Sequence, residues 1–174
     1  MKILEKEKEL EELNREIADK FFKPAKSDWL PGNFIPTFCK HQYRVMFIGQ
    51  QPSKEFEKNP HKRFLGNYNV TGKDTMFKNQ LIKTKLAGSY ITDLVKRIGQ
   101  AGEELKEKEI KKFIYYLKKE IKIINPSILV VMSDKVRKYL ENSDISSEYK
   151  IIQISHPNSR GSVYKKWDRE FRLL

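Results

Sequence analysis

The sequence is poor in residues that bind metals or cross-link chains. Its 174 residues include one cysteine, Cys39, and three histidines, His41, His61 and His156. A single thiol excludes a disulfide framework, a zinc ribbon and an iron–sulfur cluster held by four thiolates. Three histidines would need carboxylate ligands to complete a zinc site. We therefore expect no metal and no cofactor.

Long apolar segments are also missing. No run approaches the roughly 18 residues that a membrane-spanning helix needs, and the N-terminal residues MKILEKEKELEEL lack the apolar region of a signal peptide. We expect a cytoplasmic protein with no membrane partner. The length suits one domain over residues 1–174, in which residues 1–22 form a helix packed on the body.

Negative charge is scarce outside the N-terminal helix. The chain has 35 Lys and Arg against 23 Asp and Glu, a net charge of +12. Residues 1–20 carry five basic and seven acidic side chains, so the remainder carries +14. Such a surplus suggests a polyanionic partner, more often nucleic acid than an anionic membrane. A general enrichment in lysine is the alternative explanation.

The N-terminal helix is predicted from apolar residues at helical spacing. These residues are Ile3, Leu10, Leu13, Ile17 and Phe21. We favour a helix that packs one stripe on the core of a monomer. A dimerising coiled coil is the alternative, but the repeat is short for one. A loop follows, punctuated by proline and glycine up to Pro36.

Four short apolar runs predict the strands of an α/β fold. They cover residues 44–48, 89–92, 127–132 and 150–155. Runs that are apolar on both faces are typical of buried parallel strands. Helices are predicted between them, at residues 76–86, 103–124 and 135–140, which favours an open parallel sheet with right-handed crossovers.

In open α/β sheets, ligands bind at the carboxyl ends of the strands. Polar segments follow the predicted strands: Gly49-Gln-Gln-Pro-Ser53, Asp93-Leu-Val-Lys96, Ser133-Asp-Lys135 and His156-Pro-Asn-Ser-Arg-Gly-Ser162. The first would point backbone N–H groups at a ligand, or simply form a strand exit. His156 would hydrogen-bond or protonate an anionic leaving group, or serve only the structure.

Basic and aromatic residues alternate near the C-terminus. The basic ones are Arg160, Lys165, Lys166, Arg169 and Arg172, and the aromatic ones are Tyr164, Trp167 and Phe171. This pattern suits a surface that binds phosphates. It also suits a helix with its aromatic residues in the core and its charges in water, and both interpretations can hold together.

Five motifs, in this order, resemble those of the uracil-DNA glycosylase superfamily. They are Val45-Met-Phe-Ile-Gly-Gln-Gln-Pro-Ser53, Arg63-Phe-Leu-Gly66, Tyr90-Ile-Thr-Asp-Leu-Val-Lys96, Asn125-Pro-Ser-Ile-Leu-Val-Val-Met132 and His156-Pro-Asn-Ser-Arg160. The resemblance runs from about residue 10 to the end of the chain. It implies a three-layer α/β/α sandwich with a central four-stranded parallel sheet.

The resemblance also implies a function and residue roles. A monofunctional DNA glycosylase would flip a deaminated or modified base, such as uracil, out of single- or double-stranded DNA and hydrolyse its N-glycosidic bond. The implied catalytic residues are Gln50, Gln51 and His156. The implied base-binding residues are Gly49, Pro52, Ser53, Phe64 (which would stack on the base), Asp93 and Asn158. The implied DNA-binding residues are Ser159, Arg160, Lys165, Lys166 and Arg169.

The sequence departs from the family pattern at three points. Gln50 and Gln51 stand where relatives carry a residue that positions or activates water, and an amide orients water without taking its proton. Asp93 stands where many relatives have an asparagine that binds uracil, so other bases become candidates and Asp93 itself becomes a candidate base catalyst. The cysteines of the iron–sulfur branch are missing. There are therefore two alternatives to a glycosylase. One is a catalytically weak or inactive DNA-binding protein of the same fold, and the other is an α/β enzyme that acts on small molecules.

Overall fold

The computed structural model describes residues 3–21, 33–34, 41–52, 63–65, 68–69, 72–97, 106–157 and 164–174. The strands are β1 (Asn33–Phe34), β2 (Gln42–Gly49), β3 (Arg63–Leu65), β4 (Tyr68–Asn69), β5 (Ser89–Asp93), β6 (Ile128–Val131) and β7 (Lys150–Gln153). The helices are α1 (Ile3–Phe21), α2 (Gly72–Ile82), α3 (Glu107–Ile124), α4 (Asp134–Glu141), α5 (Ile145–Glu148) and α6 (Tyr164–Glu170), which continues into a 3₁₀ turn (Phe171–Leu173).

A parallel sheet forms the centre of the molecule. Its strand order is β1-β5-β2-β6-β7, and β5, β2, β6 and β7 run parallel. The predicted four-stranded parallel sheet is therefore confirmed. One addition is β1, whose two residues pair antiparallel with β5 at the edge. Two residues are too few to produce a sequence pattern, and β1 lies in the segment that was predicted as a loop.

The central strands are buried on both faces, which explains their continuous apolar sequences. In β2, Val45 and Phe47 face one core cluster, whereas Met46 and Ile48 face the other. The first cluster includes residues of α2 and α6, and the second includes residues of α1, α3 and α4. Helices thus cover both faces, and the α/β/α arrangement of layers is confirmed.

Helix α1 packs against α3 through its apolar stripe. Leu13 and Ile17 are buried with Tyr116 of α3, and the ring of Phe21 lies 5.2 Å from that of Phe113. Burying one such side chain contributes roughly 1.5–3 kcal/mol. The packing explains why the apolar residues of α1 recur at helical spacing.

Helix α2 differs from its predicted bounds, because it covers Gly72–Ile82 rather than 76–86. It ends before residue 86 because the Thr84 hydroxyl donates to the Leu81 carbonyl and accepts from the Leu86 amide, which closes a turn. Helix α3 begins at Glu107 and ends where expected, at Ile124, and is followed by Asn125, which has φ 52° and ψ 56°. Asparagine tolerates this left-handed conformation better than most residues. Within the described residues, no helix is both long and apolar enough to cross a membrane.

Candidate active site at the carboxyl edge of the sheet

The ends of β2 and β5 lie side by side at one edge of the sheet, here called the carboxyl edge. Gly49 and Asp93 are register partners in the β2–β5 pair. Beyond them, the Leu94 amide donates to the Gly49 carbonyl (3.0 Å) and the Val95 amide donates to the Gln50 carbonyl (2.9 Å). These bonds extend the parallel pairing past the strands and fix two predicted site segments against each other.

Gln50 is connected to the next strand along the edge. The Ser133 hydroxyl, two residues after β6, donates to Oε1 of Gln50 at 3.2 Å. The bond holds the Gln50 amide toward β6. Ser133 was noted at a strand end but not predicted as a site residue, and its position directly after a buried strand was the available signal. Gln51 is half-buried and Pro52 is buried.

Asp93 is almost fully enclosed, with 1% of its surface exposed. It is the last residue of β5, so its position is set by the sheet rather than by a loop. A carboxylate taken from water needs compensating polar contacts or a ligand. The register places Asp93 beside Gly49 at the carboxyl edge, and its contact with a ligand stays a prediction.

A buried ion pair connects the loop that follows Asp93 to helix α3. Lys96 and Glu120 are both fully buried, and the Lys96 ammonium donates to Oε2 of the Glu120 carboxylate. Thr92 connects the two residues, because its hydroxyl accepts from Lys96 at 2.7 Å and donates to Glu120 at 2.8 Å. The loop after β5 is therefore tied to α3.

Two further residues complete this buried polar network. The Tyr90 hydroxyl donates to Oε1 of Glu120 at 3.0 Å and accepts from the Asn14 amide at 3.2 Å. Burial, and then the negative charge of Glu120, hold the pKa of Tyr90 well above its ordinary value. Sequence reasoning missed Asn14 and Glu120, although each occupies an apolar-face position of its helix, where a polar residue indicates a buried partner.

His156 lies at the same edge, three residues after the end of β7. Strands of a sheet are about 4.8 Å apart, so β5 and β7, separated by three spacings, lie roughly 14 Å apart. Asp93 and His156 thus stand at opposite ends of the parallel part of the edge.

The residue before His156 contacts α6. The Ser155 hydroxyl donates to Oε1 of Glu170 (2.9 Å), and the Ser155 amide donates to Oε2 of the same carboxylate (3.2 Å). The Trp167 indole N–H donates to the Ser155 carbonyl at 2.9 Å. Sequence reasoning singled out neither Ser155 nor Glu170.

Helix α6 and the turn that follows it bury aromatic residues and expose basic ones. Trp167 and Phe171 are buried in the core, whereas Lys166, Arg169 and Arg172 are exposed. The aromatic residues therefore anchor the segment, and the basic residues remain available to an anionic partner.

Several predicted site residues cannot be placed in this arrangement. Ser53, Asn158, Ser159 and Arg160 lie outside the described residues. Phe64 belongs to β3, which pairs with β4 in a small antiparallel sheet, but its side chain is not described. The side chain of Lys165 on α6 is likewise outside the description. The roles assigned to these residues stay predictions.

No cluster of three or more His, Cys, Asp or Glu side chains that could hold a metal ion occurs among residues 4–21, 41–52, 75–97, 106–157 and 166–174, whose side chains the structure describes. The side chains of Gln50, Asp93, Ser133 and His156 bring to the carboxyl edge an amide, a carboxylate, a hydroxyl and an imidazole. Such groups can orient a base, position water and transfer a proton.

Comparison with known families gives one match. The family model of the uracil DNA glycosylase superfamily matches residues 36–173, far more than half of the chain. The match includes every strand of the parallel part of the sheet and the whole of the described carboxyl edge. No curated protein matches the chain.

Proposed function

Because the chain belongs to the uracil-DNA glycosylase superfamily, we propose that it is a monofunctional DNA glycosylase that acts as a monomer in base-excision repair. It would flip a deaminated or modified base out of DNA and hydrolyse the N-glycosidic bond. The observation that carries the proposal is the common position of Gly49, Asp93 and His156 at the carboxyl edge. Ligands bind at this edge in open α/β sheets.

His156 would stabilise the departing base. Breaking the N-glycosidic bond leaves positive charge on the sugar and negative charge on the base oxygen or nitrogen. An imidazole N–H aimed at the developing anion stabilises the transition state more than the ground state. Histidine suits this role, since its ordinary pKa lies near neutral pH and it can donate in either protonation state.

Asp93 would bind the base edge. An ionised carboxylate accepts hydrogen bonds but donates none, so it fits a base edge that presents N–H groups. It would accept from the ring N–H of uracil, but it would also face a neighbouring carbonyl oxygen unfavourably. The proposal therefore covers hypoxanthine, xanthine and modified uracils as well as uracil. In a second possible role, Asp93 removes a proton from the attacking water.

Gln50 and Gln51 would position the attacking water. The Ser133 hydroxyl bonds to Oε1 of Gln50 and restricts the amide to one orientation, which favours a fixed water site. Because an amide cannot take a proton, water attack would depend on Asp93, His156 or the DNA phosphates. We expect turnover to be slower than in relatives with a carboxylate at this position.

A substrate panel tests the proposal. Single- and double-stranded oligonucleotides that contain uracil, hypoxanthine, xanthine or hydroxymethyluracil are incubated with the protein and then treated with alkali. We expect strand scission at one or more of these bases. The His156→Ala variant should cut at least 10²-fold more slowly.

His41→Ala is the matched control. His41 precedes β2 at the opposite edge of the sheet, and its Nδ1 lies 2.7 Å from Oε1 of Glu7 on α1. Its loss should leave the cleavage rate unchanged. An unaltered rate in His156→Ala would remove His156 from the mechanism. Absence of scission on every base, with DNA binding intact, would contradict the glycosylase proposal.

The second candidate is a DNA-binding protein of the same fold with weak or no activity. It is favoured by the two glutamines at positions 50 and 51, since neither can act as a base. It predicts DNA binding with a steep salt dependence, through Lys166 and Arg169 among others, but no scission. An enzyme acting on small molecules would instead bind DNA weakly at every salt concentration.

A further inference from the structure

Ser155 is held by one helix at all three of its polar groups. Its hydroxyl and its amide donate to the two carboxylate oxygens of Glu170, and its carbonyl accepts from the indole of Trp167. A bidentate carboxylate fixes both the distance and the direction of the groups it binds. The backbone on each side of Ser155 is therefore restrained by α6.

These contacts begin where the sheet stops fixing the chain. The register of β7 with β6 ends at Gln153, and the last sheet-like bond runs from the Ile154 amide to the Val131 carbonyl at 2.9 Å. The next residue is Ser155, and His156 follows it. Within the described residues, the contacts with α6 replace the strand ladder as the support for the segment that carries the imidazole.

Helix α6 is stabilised by aromatic packing, because it is too short to be stable by itself. It has seven residues, and an isolated helix of that length is unstable in water. Trp167 is fully buried, and its ring lies 5.2 Å from that of Phe77 on α2. Phe171 stacks on Trp167 at 6.4 Å with an interplanar angle of 4°. The support for Ser155 is thus itself anchored in the core.

We propose that Glu170, together with Trp167, is a positioning residue that sets the placement of His156 by fixing Ser155. The proposal rests on the glycosylase function proposed above. A proton donor acts only when it lies within a few tenths of an ångström of its productive position. Glu170 would therefore contribute to catalysis without touching the substrate.

The experiment compares two isosteric substitutions on α6. Glu170→Gln removes the negative charge and leaves one accepting oxygen, so the Ser155 amide and hydroxyl can no longer both donate to this side chain. Asp168→Asn makes the same change in charge on the same helix, but Asp168 accepts from Gln80 and does not contact Ser155. We expect Glu170→Gln to lower kcat by roughly 10- to 100-fold at a nearly constant KM. Asp168→Asn should stay within about twofold of the wild type in kcat.

Two further variants separate positioning from stability. Ser155→Ala removes only the hydroxyl contact and should lower kcat by a smaller factor than Glu170→Gln. In a His156→Ala background, Glu170→Gln should cause no further loss, because the group that it positions is absent. A full additional loss in that background would overturn the proposal, as would an unchanged kcat in both Glu170→Gln and Ser155→Ala.

A spectroscopic readout keeps the test independent of activity. The imidazole proton resonance of His156 is identified by its disappearance in His156→Ala. In Glu170→Gln it should shift or broaden, whereas Asp168→Asn should leave it in place. If the wild type cleaves no base, the glycosylase proposal fails and this resonance alone decides the positioning role. An unmoved resonance in Glu170→Gln would overturn that role.

Discussion

The two halves of the carboxyl edge are fixed in different ways. In the Asp93 half, which comprises the ends of β2 and β5, the chain is held by the buried Lys96–Glu120 pair and by backbone hydrogen bonds between the two strands. In the His156 half, which comprises the ends of β6 and β7, a seven-residue helix holds the chain through hydrogen bonds to Ser155. The first half depends on a buried ion pair, and the second on hydrogen bonds to a single residue.

This difference separates stability from activity. Damage to the support of the Asp93 half leaves a buried charge without its partner, and such defects unfold proteins. Damage to the support of the His156 half displaces a side chain by a small distance and leaves the core intact. We therefore expect mutations in the support of the Asp93 half to lower mainly stability, and mutations in the support of the His156 half to lower mainly activity.

The largest expected effect is on the buried pair. Lys96→Met should lower the free energy of unfolding by about 3–5 kcal/mol, because the Glu120 carboxyl group would be left buried without its cation. Urea denaturation followed by circular dichroism measures the change. Replacing both partners, as in Lys96→Met with Glu120→Met, should recover part of the loss.

Lys111→Met is the control for that prediction. Lys111 forms an ion pair with Glu107 at 2.8 Å on the exposed surface of α3, and such pairs contribute about 0–1 kcal/mol. Equal losses of stability in Lys111→Met and Lys96→Met would contradict the role given to burial. In Glu170→Gln, the loss of stability should be nearer that of Lys111→Met.

The next effect concerns the preference for a base. Asp93→Asn supplies a donor and an acceptor where the carboxylate only accepts. Uracil has a carbonyl on each side of its ring N–H, whereas hypoxanthine has a carbonyl on one side and a C–H on the other, so the carboxylate disfavours uracil more. We expect the ratio of kcat/KM for uracil to that for hypoxanthine to rise by about tenfold or more, since one mismatched hydrogen bond costs roughly 1–3 kcal/mol. Competition between two labelled oligonucleotides measures the ratio directly. A ratio unchanged by Asp93→Asn would show that the side chain does not face the base.

The smallest effect is expected at the hydroxyl of Tyr90. Tyr90→Phe removes one donor to Glu120 while Lys96 and Thr92 remain, so the free energy of unfolding should fall by about 1 kcal/mol. Ser127→Ala, at an exposed position before β6, is the control and should change little. A larger loss in Ser127→Ala than in Tyr90→Phe would contradict the importance of the network.

The same residue predicts a dependence on pH. The folded-state pKa of Tyr90 is raised above the ordinary value of 10.0, so the native state keeps a proton that the unfolded chain releases above that pH. Stability is therefore present below pH 10.0 and is lost as the pH rises toward the folded-state pKa. Denaturation at pH 9 and at pH 10.5 should show a smaller decline in Tyr90→Phe than in the wild type. An equal decline in stability in both proteins would show that Tyr90 does not cause the loss at high pH.

Most of the sheet could be predicted from the sequence because its strands are buried on both faces. Residues such as Phe47, Ile48, Val130 and Val131 form continuous apolar runs, and the polar segments after them identify the carboxyl edge. Strand β1 could not be predicted, since its two residues pair through backbone groups that any sequence supplies.

The residues that hold the candidate site in place were harder to predict from the sequence than the site residues themselves. Lys96 and Glu120 are separated by 24 positions, and Glu120 stands near the exposed Lys118 and Lys122 in the sequence of α3. The pairing of Lys96 with Glu120 depends on how α3 lies on the sheet, which no local pattern specifies. Ser155 and Glu170 pose the same problem, because a serine after a strand and a glutamate on a basic helix are ordinary surface residues until the two elements meet.

The position of Trp167 makes it an intrinsic fluorescence probe of the segment that carries His156. Trp167 is fully buried and its indole is hydrogen-bonded to the Ser155 carbonyl, so its emission should respond to changes in that contact. The chain has only one other tryptophan, Trp29, so replacing Trp29 by phenylalanine leaves a single emitter beside the segment that carries His156. Its fluorescence would follow, in real time, the movement of that segment as DNA arrives and product leaves.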